Sequence, residues 1–161
     1  MTIGPLIRRL TTHPWLALAF RLYIGGLFIH ASMYKINYVG EFAGTIASYQ
    51  LAPYALVNFM AVTMPWLELI CGLMLVVGFR TKASASILGA LMVLFTVAIV
   101  INLYWDAPIG CGCFKTIEDP ISWKTVVRDL IWLAMIVHVF LFDRSLQVDR
   151  LLFQPLEEME T

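Results

Sequence analysis

Four stretches of about 20 mainly apolar residues, the length needed to cross the hydrocarbon core of a bilayer, constrain this chain more than any other feature. Residues 83–104 carry no ionisable side chain, and residues 55–77 contain a single acid, Glu68. Residues 15–33 are apolar apart from Arg21 and His30. Residues 126–142 are the weakest span, with Arg128 and Asp129 in its first turn and His138 further along. Four such spans use about half of the chain, so no separate soluble domain is expected. The fold class expected is all-α: an integral membrane four-helix bundle over residues 15–142, with a segment at 1–14 and a tail at 143–161.

Composition agrees. The chain is 60% hydrophobic and 14% charged, with a mean hydropathy of +0.81, against roughly 45–50% apolar and about 25% charged in ordinary globular chains. Net charge is zero, so no broad basic face exists for nucleic acid. Three cysteines cannot form an evenly paired disulfide scaffold. Arg8 and Arg9 ahead of an apolar run imitate a signal peptide, but the run is as long as a full span and three more follow, so it is expected to be a retained first helix.

The positive-inside rule sets the expected orientation. Arg8 and Arg9 precede the first span, Arg80 and Lys82 lie between the second and third, and Arg144 and Arg150 follow the fourth. The other side holds Lys35, Lys115 and Lys124, diluted by Glu41, Asp106, Glu118 and Asp119. Both termini are therefore expected in the cytoplasm, and loops 34–54 and 105–125 outside, in the periplasm of a Gram-negative bacterium. Trp15, Trp105 and Trp123 stand where interfacial indoles are favoured. Phe42, Ile46 and Tyr49 recur at helical spacing, so residues 41–49 are expected to form a short interfacial helix stopped by Pro53.

The chemically most distinctive motif is Cys111-Gly112-Cys113 in the second outer loop. A disulfide across one residue closes a very small ring and strains the backbone, which Gly112 can absorb. Strained, exposed bridges tend to be the labile or catalytic ones. A redox dithiol is the leading reading. The alternatives are two inert thiols, or thiolates for copper(I) or zinc, although no clear second pair of ligands accompanies them and no metal is expected. Cys71, about 24 Å down its span, is read as a packing residue.

Ionisable groups inside a span are costly and hence functional candidates. Arg21 lies about 9 Å and Glu68 about 14 Å from the cytoplasmic ends of their helices. Gly25, Gly26 and Gly72 would let those helices approach, so an Arg21–Glu68 ion pair is expected, one turn after a kink at Pro65. It would either fix helix register or anchor a quinone head group or proton route. Lys35 can simply snorkel. Arg128 and Asp129 either cap the fourth span and hold the loop or raise the thiolate fraction. His30 and His138 are expected as hydrogen-bonded core residues, and Asn102 needs a partner.

These residues also resemble a known family. Arg21-x3-Gly25-x2-Phe28, Lys35, Phe42, Tyr49-Gln50-Leu51 with Pro53, and Pro65-Trp66-Leu67-Glu68-Leu69 with Gly72, Gly78 and Arg80 look like the DoxX family. Gly110-Cys111-Gly112-Cys113-Phe114, Trp123 and Arg128-Asp129 are similar to its MauE-like, redox-associated branch. Lys115 stands where glycine is frequent and Asp129 where asparagine is common. The resemblance, over residues 15–142, implies a bacterial inner-membrane protein of thiol or sulfur metabolism. Cys111 and Cys113 would carry electrons from a periplasmic thioredoxin-like or rhodanese-like partner to quinone, with Arg21, Lys35, Glu68 and Arg128 around the quinone. The alternative is a non-catalytic anchor or assembly subunit of a larger membrane redox complex.

Overall fold

The computed structural model describes residues 14–105, 110 and 121–143. The Cys111 and Cys113 motif, Lys115, the segment before residue 14 and the tail after residue 143 lie outside the described residues. The elements in chain order are α1 (Pro14–Asn37), α2 (Val39–Ser48), α3 (Tyr54–Val77), α4 (Thr81–Tyr104) and α5 (Trp123–Phe142). Helices are the only regular elements among the described residues, and α1, α3, α4 and α5 are long and apolar enough to cross a membrane. The four expected spans thus exist, with α1 running four residues beyond its expected end.

The polarity of the bundle is that of a lipid-solvated protein. Phe59, Trp66, Leu73, Leu94 and Ile131 are exposed, whereas Arg21, Lys35, Glu68, Asn102 and Asp129 are buried. Lipid tails are as apolar as leucine, so association of the spans depends on close packing and polar contacts. Helices α1 and α3 approach closely at Gly25 and Gly72. A Cβ on Gly25 would lie 2.6 Å from Val76 Cγ2 and 3.0 Å from the Gly72 carbonyl oxygen, and one on Gly72 would lie 3.1 Å from Ile29 Cγ1. Gly26 has open space where its Cβ would be and takes no part in the contact. Cys71 is buried in the core formed by α1, α3, α4 and α5, beside Ile24, Phe28 and Leu75, as its reading as a packing residue requires.

The α3–α4 turn is short because Gly78 adopts φ 84°, a left-handed conformation open to glycine at little cost. Its N–H and that of Phe79 both donate to the Met74 carbonyl, each at 2.9 Å, closing the helix end. Arg80, at φ 44°, then starts α4. Pro65 lies inside α3 without ending it.

Helix α2 extends over Val39–Ser48 rather than 41–49, and its apolar face packs on protein. Phe42 and Ile46 are buried against Val57 and Ala61 of α3, with Phe95 of α4 alongside. Tyr49 turns into a different cluster with Ile99 and Val126. The short helix therefore covers one end of the bundle.

Candidate functional site

Two buried ion pairs occupy opposite ends of α1, and neither is the expected one. Lys35 Nζ donates to both Glu68 carboxylate oxygens at 2.8 Å. Arg21 Nη1 donates to Asp143 Oδ2 at 3.1 Å and Oδ1 at 3.3 Å. The expected Arg21–Glu68 pair is absent, and the helix register explains why. Gly25 faces Val76, and Gly72 faces Ile29, which makes α1 and α3 antiparallel. Extending this register places Lys35 level with Trp66, about 3 Å along the axis from Glu68, and Arg21 level with Arg80, about 18 Å away.

Side-chain direction adds to this. Cα–Cβ bonds tilt toward the N-terminus of their own helix, so in an antiparallel pair Lys35 and Glu68 lean toward each other while Arg21 leans away. Depth measured from helix ends carries neither fact. Asp143, which sequence reasoning left in the tail, follows the last turn of α5 and joins that end to α1. Lys35 does not snorkel: it is only 4% exposed, with its ammonium 5.1 Å from the Phe42 ring centroid and 5.0 Å from that of Phe95. Both rings add cation–π attraction to the pair.

Asp129 is 1% exposed. Arg128 Nε and Nη2 donate to its Oδ1 at 3.1 and 3.0 Å, and the guanidinium lies 4.6 Å from the Trp132 ring centroid. The two residues do not cap α5, whose N-cap position is Ser122. Asp129 instead faces a space of ≈ 40 Å³ shared with Lys35 and Glu68. A larger groove of ≈ 770 Å³, lined mainly by apolar residues, runs between α3 and α4 beneath α2. Phe95 lines both.

A third constellation holds the segment entering the cysteine loop. Asn102 Nδ2 donates to the Tyr49 carbonyl at 3.3 Å and to that of Ala98 at 3.0 Å. The Tyr49 hydroxyl in turn donates to the Gly110 carbonyl at 3.5 Å. Burial, and secondarily the Asp129 charge, push the Tyr49 phenol up to about 12. Helical spacing and the family-like run both include Tyr49, but neither makes its buried hydroxyl legible. His30 is exposed rather than in the core, and His138 packs edge-on to Phe20 at 5.2 Å between ring centroids.

The fold and these buried charges define a multi-pass membrane protein of four spans, with polar side chains gathered inside. The profile of a family described as methylamine utilisation protein MauE matches residues 13–142. The chain is 31% identical to the methylamine utilization protein MauE of Paracoccus denitrificans, over 76% of this chain and 67% of that relative. It is 33% identical to the protein of the same name from Methylophilus methylotrophus, over 78% and 68%. It is 32% identical to that of Methylorubrum extorquens, over 77% and 68%. The chain belongs to the MauE family. No solved structure matches it.

Proposed function

We propose that this chain is a membrane accessory protein of a redox or maturation system, in which Cys111 and Cys113 exchange disulfides with a partner outside the membrane and pass the electrons to quinone. The observation that carries this reading is the support at the entry to the thiol loop. A buried tyrosine, fixed through its backbone by a buried asparagine, donates to the carbonyl of Gly110, the residue directly before Cys111. Buried polar side chains are costly unless satisfied, and two are used to hold this one strand of chain.

In the proposed cycle a partner dithiol reduces the Cys111–Cys113 disulfide through a mixed disulfide. The resulting dithiol then gives two electrons and two protons to a quinone, which becomes quinol. The groove between α3 and α4 suits an apolar tail, since its lining includes Met60, Met64, Val93 and Leu94. Phe95 separates it from Lys35 and Glu68, which supply charge and hydrogen bonds near a head group. Arg21 has no part in this: it lies 14 residues from Lys35, about 21 Å along α1.

The relatives are named for methylamine utilization, and the partner is proposed to belong to such a system; a thioredoxin-like or rhodanese-like donor is the chemistry this requires. Arg80 and Lys82 at the turn end support an inner-membrane orientation with the thiol loop outside. The ordered DoxX-like residues around Glu68 support a wider kinship with that group.

Thiol-specific mass tagging in intact membranes tests the proposal. Oxidised quinone added to reduced sample is expected to remove both tags from Cys111 and Cys113, and Cys113→Ser to abolish partner oxidation. Thiols indifferent to quinone, together with stoichiometric co-purification of other subunits, would establish the non-catalytic assembly reading instead.

A further inference from the structure

The ≈ 40 Å³ space inside the bundle has three ionisable side chains in its walls, Lys35, Glu68 and Asp129, among apolar neighbours such as Phe28 and Met92. A space of roughly 10–15 Å³ on this measure holds one water, and a buried water needs two to four polar partners. The volume thus takes about three or four waters, and the three charged groups supply the partners. Tight packing would normally fill such a gap with side chains. Register explains the Lys35–Glu68 pair, but it does not explain a second buried carboxylate on the same space, already paired with Arg128 on the same helix.

The groups around Asp129 come from several elements. Lys35 faces the space from α1 and Glu68 from α3. Arg128 bonds to Asp129 on α5, and Tyr49 of the α2 segment lies close enough to sense its charge. The lining contributed by α4, Leu91, Met92 and Phe95, carries no titratable group.

We propose that this space is a hydrated proton-transfer site, in which water joins Asp129 to the Lys35–Glu68 pair and a proton is shared between the two carboxylates. This deepens the redox reading above and rests on it for its biological purpose. Dithiol plus quinone becomes disulfide plus quinol, so two protons leave the thiols and two arrive at the acceptor. Asp129 stands on the Tyr49–Gly110 side, and Phe95 divides the space from the membrane-facing groove. The charged space therefore lies between the side of the bundle that holds Gly110 and the groove proposed above for the quinone tail.

Infrared pH-difference spectroscopy on the full chain in lipid bilayers tests the site without any partner or quinone. A titrating protonated-carboxyl band, sensitive to deuterium exchange, is expected to disappear in Asp129→Asn and to move in Glu68→Gln. Ala31→Leu, or Leu91→Phe from the opposite wall, fills the space while retaining all three charges. In either variant Glu68→Gln should no longer move the band. A band indifferent to Asp129→Asn, or coupling that survives both filling variants, overturns the proposal. Quinone-dependent loss of thiol tags should slow about 100-fold in Asp129→Asn, in the range typical of lost proton transfer, with a changed pH profile. Carboxylate coupling with thiols that ignore quinone would leave the site standing and remove the redox reading. Quinone-responsive thiols without coupling would do the reverse.

Discussion

Replacing Glu68 by alanine isolates what the central ion pair contributes. At 2.8 Å and an effective dielectric of about 20, the gross attraction is about 6 kcal/mol. Desolvation of both ions offsets much of it, so the measurable quantity is the cost of leaving Lys35 charged and alone in the bundle, about 3–5 kcal/mol. The apolar double substitution Lys35→Met with Glu68→Leu removes both charges and should recover most of that loss.

A double-mutant cycle on Lys35 and Glu68, read by reversible unfolding in mixed detergent micelles, is therefore expected to give a coupling of several kcal/mol. The same cycle on Arg21 and Glu68 should give less than about 0.5 kcal/mol, the residue expected for groups that share no partner. Strong Arg21–Glu68 coupling with none at Lys35 would refute the register and side-chain argument outright.

The other expectations are equally local. Asp143→Asn should weaken the tie between the α5 end and α1 by about 3–5 kcal/mol, visible as faster amide exchange in the last turn of α5. Gly25→Ala should lower thermal stability by about 1–3 kcal/mol through overpacking against Val76 and the Gly72 backbone, whereas Gly26→Ala should be tolerated; equal effects would place the contact elsewhere. Tyr49 should remain un-ionised in an ultraviolet titration until about pH 12. Because its folded value is raised, its contribution is full below pH ~10, where the free phenol titrates, and fades as pH rises toward 12. Asp129→Asn should lower that midpoint only in part, since burial is the larger cause.

Hydrophobic length alone made the four spans legible, because a helix must satisfy its own backbone in lipid and needs about 20 apolar residues to cross it. The charge-free 83–104 stretch became the core of α4, and the 55–77 stretch became α3. Helical spacing of Phe42 and Ile46 revealed α2, although spacing did not say that its apolar face would meet α3 and α4.

The partners of the buried charges were a different matter. Arg21 and Glu68 were plausible mates by depth, and Asp143 looked like the start of a tail. Pairing depends on the register between helices, which the Gly25–Gly72 contact sets, and on the opposite lean of side chains in antiparallel neighbours. A linear sequence contains neither quantity. The sequence by itself determined that this is a four-span membrane protein with costly charges inside. Only the tertiary structure decided that Lys35 meets Glu68, that Asp129 shares their space, and that Tyr49 reaches Gly110, because each joins residues far apart in the chain whose relative shift and rotation exist only once the bundle is packed.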